Sequence, residues 1–211
     1  MRLLPLDRLT TGRHGPKNAK PNPPVLTSSV PLVVDLDGTL IDGDTLHLSL
    51  ARLVRQRPWV APILPFVVFA GRAGFKQFVS DRVSLDPVSL PYRADVLAFV
   101  KSERAGRQAV VLATAAHQSI AEGVARHLAL FDAVIGTSGR HNAKGVGKLA
   151  SIRAHLGDAE FDYVGDSLAD MPVFRAARRS YLVCPNAALE RAVRDGCRVE
   201  AVFARPNVRG S

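Results

Sequence analysis

Cysteine is scarce in this chain, with only Cys184 and Cys197 among 211 residues. Two thiols without metal-like spacing make neither a disulfide framework nor a zinc site, and they read as reduced residues of a cytosolic protein. Long apolar runs are missing as well. The most apolar stretch, Trp59 to Ala70, is interrupted by Pro62 and Pro65 and falls short of the roughly 18 residues that a membrane-spanning helix needs. No secretory signal is expected, because the short Leu3-Leu4-Pro5-Leu6 patch is followed at once by Asp7 and has no extended apolar core. The middle of the chain lacks net charge. Residues 31–174 carry fifteen Lys/Arg and fifteen Asp/Glu, so the formal +9 arises at the ends, +4 from residues 1–30 and +5 from residues 175–211. Basic tails suit an anionic membrane or RNA, but ends that merely aid solubility are the plainer reading. No nucleic-acid partner is expected, and the location expected is cytoplasmic, with peripheral contact at the inner membrane face.

What is present suits a globular domain with a modest insertion: 47% of the residues are hydrophobic and 22% charged, and the length can bury a full core. Residues 1–29, rich in proline and without period, read as a flexible basic leader. The apolar run at Val33-Val34 reads as a first strand. Residues 43–91 then read as a helical insertion: Asp44 or Thr45 caps a helix that ends before Pro58, a proline-punctuated apolar segment follows, and a second helical pattern starts near Phe75. From Tyr92 the text alternates helix and strand. Strands are expected at Ala109–Ala113, Ala133–Ile135, Phe161–Val164 and Tyr181–Val183, with helices at Ala94–Ala105, His117–Leu130, Asn142–His155, Leu168–Arg178 and Ala187–Asp195. Such alternation requires a parallel sheet with helices on both faces. The core is therefore expected over residues 30–42 and 92–203, with 204–211 as a C-terminal tail.

The chemistry concentrates at strand ends. Asp35 and Asp37 close the first strand, Thr114 the second, and Asp166 with Asp170 a later one, which is the rim where open α/β sheets hold ligands. A solvated Asp-x-Asp-Gly turn is the competing description of Asp35-Leu36-Asp37-Gly38 taken alone. Carboxylates gathered this closely cannot all ionise without a cation, and hard oxygen ligands favour Mg²⁺. Lys144, or Lys148 one turn on, adds a positive charge suited to a phosphoryl group. A carboxylate can attack phosphorus directly, and a second can serve as acid and then base.

Four segments carry a resemblance. Asp35-Leu36-Asp37-Gly38-Thr39-Leu40, Leu112-Ala113-Thr114-Ala115, Lys144-Gly145 and Gly165-Asp166-Ser167-Leu168-Ala169-Asp170 resemble the ordered motifs of the haloacid dehalogenase superfamily of phosphohydrolases. The resemblance spans residues 30 to 200. It implies an α/β, Rossmann-like fold with a small helical C1-type cap, and a Mg²⁺-dependent phosphatase acting through an aspartyl-phosphate. By motif, Asp35 corresponds to the nucleophile and Asp37 to the general acid/base. Asp35, the Asp37 backbone carbonyl and Asp166 correspond to the metal site. Thr114, Ala115 and Lys144 correspond to phosphate contacts, with Lys148 as rival for the lysine, and Asp170 to the residue orienting the metal site or lysine. Relatives that cleave carbon–halogen bonds lack an acid two residues after the nucleophile, whereas an alkoxide leaving group needs one. Asp37 therefore favours phosphate esters.

The phrases Leu46-His47-Leu48-Ser49-Leu50, Gly71-Arg72-Ala73-Gly74-Phe75-Lys76 and Phe161-Asp162-Tyr163 are similar to domains of this superfamily associated with UbiA-type prenyltransferases. This finer likeness implies a prenyl- or sugar-lipid-linked phosphate as substrate and a UbiA-type prenyltransferase as partner. Arg72 and Lys76 are candidates to bind a second anion of the substrate. A non-catalytic partner of such an enzyme, or a phosphomutase, are the alternatives. His117 reads as a helix cap, and Tyr163 and Cys184 as packing.

Overall fold

The computed structural model describes residues 30–69, 71–138 and 144–205, the side chains of residues 68, 71–73 and 76 excepted. Six parallel strands form one sheet: β1 (Leu32–Val34), β2 (Val110–His117), β3 (Ala133–Thr137), β4 (Asp162–Gly165), β5 (Arg179–Val183) and β6 (Val199–Phe203), in the order β3-β2-β1-β4-β5-β6. Parallel neighbours require crossovers, and helices supply them. These are α1 (Thr45–Gln56), α2 (Leu64–Val68) and α3 (Gly71–Ser80) in the insertion, then α4 (Ala94–Arg104), α5 (Gln118–Leu128), α6 (Val146–Leu156), α7 (Met171–Ala176) and α8 (Ala187–Gly196).

Strand alternation sorts the core into two layers. Leu32, Val34, Val110, Leu112 and Val164 pack with Val96 and Val100 of α4 and with Ala121 and Val124 of α5. Val33, Val111, Ala113 and Tyr163 pack on the other face with Ile152 of α6, Val173 and Phe174 of α7, and Leu189 and Val193 of α8. The α/β sheet with helices on both faces is thus as the sequence implies. Winding reverses at β1, which lies between β2 and β4 with Val34 level with Leu112 and Val164. A crevice opens at such a reversal, beyond the carboxyl ends of the strands.

The helical insertion has a small core of its own, Leu53, Val60, Val79 and Val83. Asp44 caps α1, its carboxylate accepting from the N–H groups of Leu46 and His47. The proline-punctuated stretch becomes a 3₁₀ turn over Pro58–Ile63 followed by the short α2. Entry and exit of the insertion are tied together. Asp42 N–H donates to the Pro91 carbonyl and Arg93 N–H to the Leu40 carbonyl, at 2.8 and 2.9 Å. The Arg93 guanidinium pairs with Asp42 at 2.6 Å and donates to the Gly38 carbonyl at 3.2 Å.

Four local expectations change. The strand expected over Ala109–Ala113 runs on as β2 to His117, so Thr114 lies inside the strand and the helix expected over His117–Leu130 is α5, Gln118–Leu128. The helix expected over Leu168–Arg178 divides into a 3₁₀ turn, Leu168–Asp170, and α7. Pro172 falls in the first turn of α7, where its missing N–H costs nothing, so the helix restarts there. The helix expected from Asn142 begins at Val146 with Gly145 before it, and Asn142 itself lies outside the described residues. β6 was not expected; it is an edge strand whose alternate residues are exposed, a weak signal next to the buried strands.

Candidate active site

β1 ends at Val34, and the chain keeps sheet contact for one more residue, Asp35 N–H donating to the Val164 carbonyl at 3.0 Å. It then coils tightly, with Leu40 and Ile41 N–H both donating to the Leu36 carbonyl. This coil buries the Asp35 carboxylate and carries Asp37 to the foot of the insertion, where Asp37 Oδ1 accepts from Thr45 N–H at 2.8 Å. Gly38 makes the turn possible, with φ +75°. A side chain there would also collide with Asp166, whose Oδ2 lies 1.9 Å from where a Cβ would stand. Glycine therefore lets the coil and the end of β4 approach. Thr39 Oγ1 lies 3.2 Å from both Asp35 Oδ2 and Asp166 Oδ1, so the two carboxylates converge on one hydroxyl.

The buried cation of this cluster is Lys148. Its Nζ donates to Asp35 Oδ1 at 2.8 Å, Asp170 Oδ2 at 2.6 Å and Tyr163 Oη at 3.2 Å, which uses all three ammonium protons. Lys144, the first choice of the sequence reading, is exposed and stands in the wall of the cavity above. Lys148 is the lysine that reaches these carboxylates because it falls on the core-facing stripe of α6 with Ile152, four residues on, whereas Lys144 precedes the helix. That stripe was readable in the sequence as Lys148, Ile152 and Leu156.

Tyr163 is the site residue that sequence reasoning missed. Its ring packs edge-on against Phe174 at 4.9 Å, as a core residue should, but its hydroxyl donates to Asp170 Oδ2 at 2.8 Å. Gly165, next on the same face of β4, leaves room for the ring, which lies 2.6 Å from where a Cβ would be. A tyrosine two residues before a glycine at a strand end was the only available signal.

Burial sets the electrostatics. It pushes Asp37 up to about 7 against the pull of the Thr45 N–H. It pushes Asp166 up to about 6, with the Asp35 charge adding to the shift. Asp35 is raised too, by burial first and by Asp170, with Lys148 opposing. For Lys148 burial works downward, but the Asp35 and Asp170 charges outweigh it and hold the ammonium charged.

Over this floor lies a cavity of about 710 Å³. Its walls include Leu46 and Phe75 from the insertion, Ile120 from α5, and Ala115, Ala116 and His117 from the end of β2. Thr114 is fully buried beneath that wall, its hydroxyl accepting from Ala116 N–H at 2.9 Å. His117 does cap α5, accepting from Ser119 N–H, and its Nε2 also meets Gln77 Oε1 of α3 at 2.7 Å. This bond joins the insertion to the end of β2. The Arg72 and Lys76 side chains lie outside the described ones.

Among the described residues, no three Asp, Glu, His or Cys side chains form a ready-made metal cage. The donor set still fits Mg²⁺, which is usually held by one or two carboxylates together with water and substrate phosphate. Asp35 and Asp166 supply two converging carboxylates whose ionisation burial resists, and such a pair gains most from a hard cation.

Comparison with known proteins agrees with this architecture. Residues 32–175 match the family model of the haloacid dehalogenase-like hydrolases. The uncharacterized protein y4nM of Sinorhizobium fredii is 35% identical over 175 residues, covering 79% of this chain and 32% of that protein. The chain thus spans about a third of that relative's length. Among solved structures, a protein of unknown function from Bordetella pertussis Tohama I superposes with a TM-score of 0.62 at 19% identity, covering 82% of this chain and 98% of that one. A predicted phosphatase from Clostridium acetobutylicum gives 0.59 at 16%, covering 83% and 94%. A phosphoserine phosphatase in its apo form gives 0.54 at 16%, covering 86% and 96%. Identities this low speak to the fold.

Proposed function

Since the chain belongs to the haloacid dehalogenase-like hydrolase family, we propose that it is a phosphatase that cleaves a phosphate monoester through an aspartyl-phosphate on Asp35. The observation that carries this reading is the Lys148 ammonium bridging Asp35 and Asp170 at the carboxyl end of β1, at the base of a cavity large enough for a small ester. Asp35 attacks phosphorus, and the protonated Asp37 gives its proton to the departing alkoxide. Asp37 then takes a proton from the water that hydrolyses the acyl phosphate. A carboxyl held near 7 is balanced between these two tasks at neutral pH. Lys148 offsets charge on the transferring group and, with Tyr163 and Asp170, keeps the Asp35 carboxylate aimed. Asp35, Asp166 and the Asp37 backbone carbonyl would hold Mg²⁺, which supplies further positive charge against the phosphoryl oxygens when bound.

The leaving-group side of the cavity is apolar at Leu46, Phe75 and Ile120. That lining supports an ester of an apolar alcohol, and with it the finer likeness to domains associated with UbiA-type prenyltransferases. A substrate ending in an isoprenoid or other lipid alcohol fits this reading, and a prenyltransferase partner would follow from the same finer likeness. The test is incubation with Mg²⁺ and a panel of esters: an aryl phosphate, prenyl phosphates and phosphoserine. The expected result is Mg²⁺-dependent release of phosphate, preference for apolar esters, and an acid-stable phosphoryl label on Asp35 that hydroxylamine removes. Labelling of no residue during turnover would refute the covalent route.

A further inference from the structure

The insertion presents an apolar face that its own core does not cover. Trp59 is 67% exposed, Phe66 75% and Phe69 89%, with Ile63 at 47%. Val60, one residue from Trp59, is buried with Leu53, Val79 and Val83, and Leu64 packs against the same cluster. The segment therefore has an inner side already satisfied and an outer side facing water. Between Trp59 and Phe69 no side chain carries charge or an amide or hydroxyl group. Such a face offers nothing for specific polar recognition and much for an apolar medium.

Charge identifies the medium. Residues 45–80 contain five Lys/Arg, namely Arg52, Arg55, Arg57, Arg72 and Lys76, and no Asp or Glu. Arg52 and Arg55 lie on the exposed side of α1, and Arg57 is exposed where the chain passes into Pro58-Trp59. No acid within the segment neutralises them. Exposed aromatics flanked by unbalanced arginines make the pattern of a helix lying in the headgroup region, with Trp at the interface and Arg against anionic phosphates. Among the described residues no helix is long and apolar enough to cross a membrane, so contact of this kind is peripheral.

We propose that the Trp59–Phe69 face of the insertion docks on an anionic lipid bilayer. The inner side of the same insertion contributes Leu46 and Phe75 to the cavity wall, so docking would bring the cavity close to the bilayer surface. The proposal does not rest on the catalytic reading, because docking is measured without turnover.

Trp59 is the sole tryptophan of the chain, and its fluorescence reports the face directly. The full chain, free of metal and substrate, is titrated with phosphatidylglycerol vesicles and separately with phosphatidylcholine vesicles. With the anionic vesicles, Trp59 emission should shift to the blue and be quenched by brominated acyl chains, and the effect should weaken as salt is raised. The neutral vesicles should bind at least tenfold more weakly. A Phe66→Asp, Phe69→Asp variant, whose fold is checked by circular dichroism, should lose vesicle affinity at least tenfold. Three results would overturn the proposal. One is an unshifted Trp59 on anionic vesicles. Another is a double variant that binds as well as the native chain, which would place the contact in the basic ends. The third is a Trp59 already shielded in a concentration-dependent dimer, which would make a second copy the occupant.

Discussion

β4 bears a buried charged cluster at each end, and the two are wired in opposite ways. At its amino end Asp162 is fully buried and receives Arg107 and Arg178, while Arg107 also pairs with Glu103. Burial alone would raise the Asp162 carboxyl, but the hydrogen bonds from Arg178 and Arg107 outweigh it and hold the group below the usual range. At the carboxyl end Asp35 and Asp170 share a single buried cation, Lys148, and Asp37 and Asp166 line the same cavity. There burial wins, and Asp35, Asp37 and Asp166 are all raised. Two acids against two arginines balance without outside help. Four acids against one lysine leave a deficit of positive charge, which marks a working site.

The contrast predicts opposite consequences for breaking each end. The largest effect is expected for Asp35→Asn, which keeps shape but removes the attacking charge: kcat on an aryl phosphate should fall by at least roughly 10⁴-fold. Its thermal midpoint should stay near the native value, because one of several mutually repelling carboxylates has gone. Undiminished turnover would end the aspartyl-phosphate reading. Next, Asp162→Asn should cost about 3–5 kcal/mol in urea unfolding, since it takes the fully buried acid from both Arg107 and Arg178 and leaves Glu103 as the remaining partner of Arg107. The folded fraction should keep native kcat, and loss of kcat in well-folded protein would erase the distinction between the two ends.

Within the carboxyl-end cluster, Lys148→Ala should lower kcat by roughly 10²–10³, the scale of one charge-stabilising donor. Lys144→Ala should lower it less than about tenfold, as a cavity-wall residue would. The reverse ranking would move the phosphate-facing lysine out to the cavity wall.

The smallest effect is on pH dependence, and its sign differs between the ends. Asp37 and Asp166 stand at about 7 and about 6 in the folded chain against an ordinary 3.8. The folded state therefore binds more protons than the unfolded one in that window. Stability from these groups is full below the ordinary value and is lost as pH rises through the folded ones. The lowered Asp162 contributes in the opposite sense, its stability being lost as pH falls. In EDTA the native thermal midpoint should thus fall between pH 5 and 7, and Mg²⁺ should restore more at pH 7 than at pH 5. Asp37→Asn should flatten that slope. A slope unchanged in this variant would show that the Asp37 environment is not as apolar as its burial implies.

Much of this was legible in the chain. The Val33-Val34 run, the carboxylates at strand ends, and the alternation of helix and strand gave the sheet and its rim, whereas Thr114 lies inside β2 and not at its end. Local periodicity and turn chemistry act over a few residues, so a sequence displays them directly. The lysine was legible only in part, because loose spacing left Lys144 and Lys148 open and the burial stripe of α6 was needed to choose. Tyr163 was hidden, since an aromatic in a strand reads as packing whether or not its hydroxyl finds a partner.

By itself the sequence determined that Asp35, Asp37, Asp166 and Asp170 exist at strand ends and that the chain folds as a parallel α/β sheet, because side-chain period and backbone preference are properties of neighbouring residues. Only the tertiary structure decided which charges meet. The Lys148 ammonium reaches Asp35 across 113 positions of chain, and Thr39 reaches Asp166 across 127. Likewise, the apolar segment after Pro58 could have buried either side, and it was packing of Val60 and Leu64 against α1 and α3 that left Trp59, Phe66 and Phe69 outside. Burial and long-range electrostatics depend on the whole arrangement of the chain, and no local pattern encodes them.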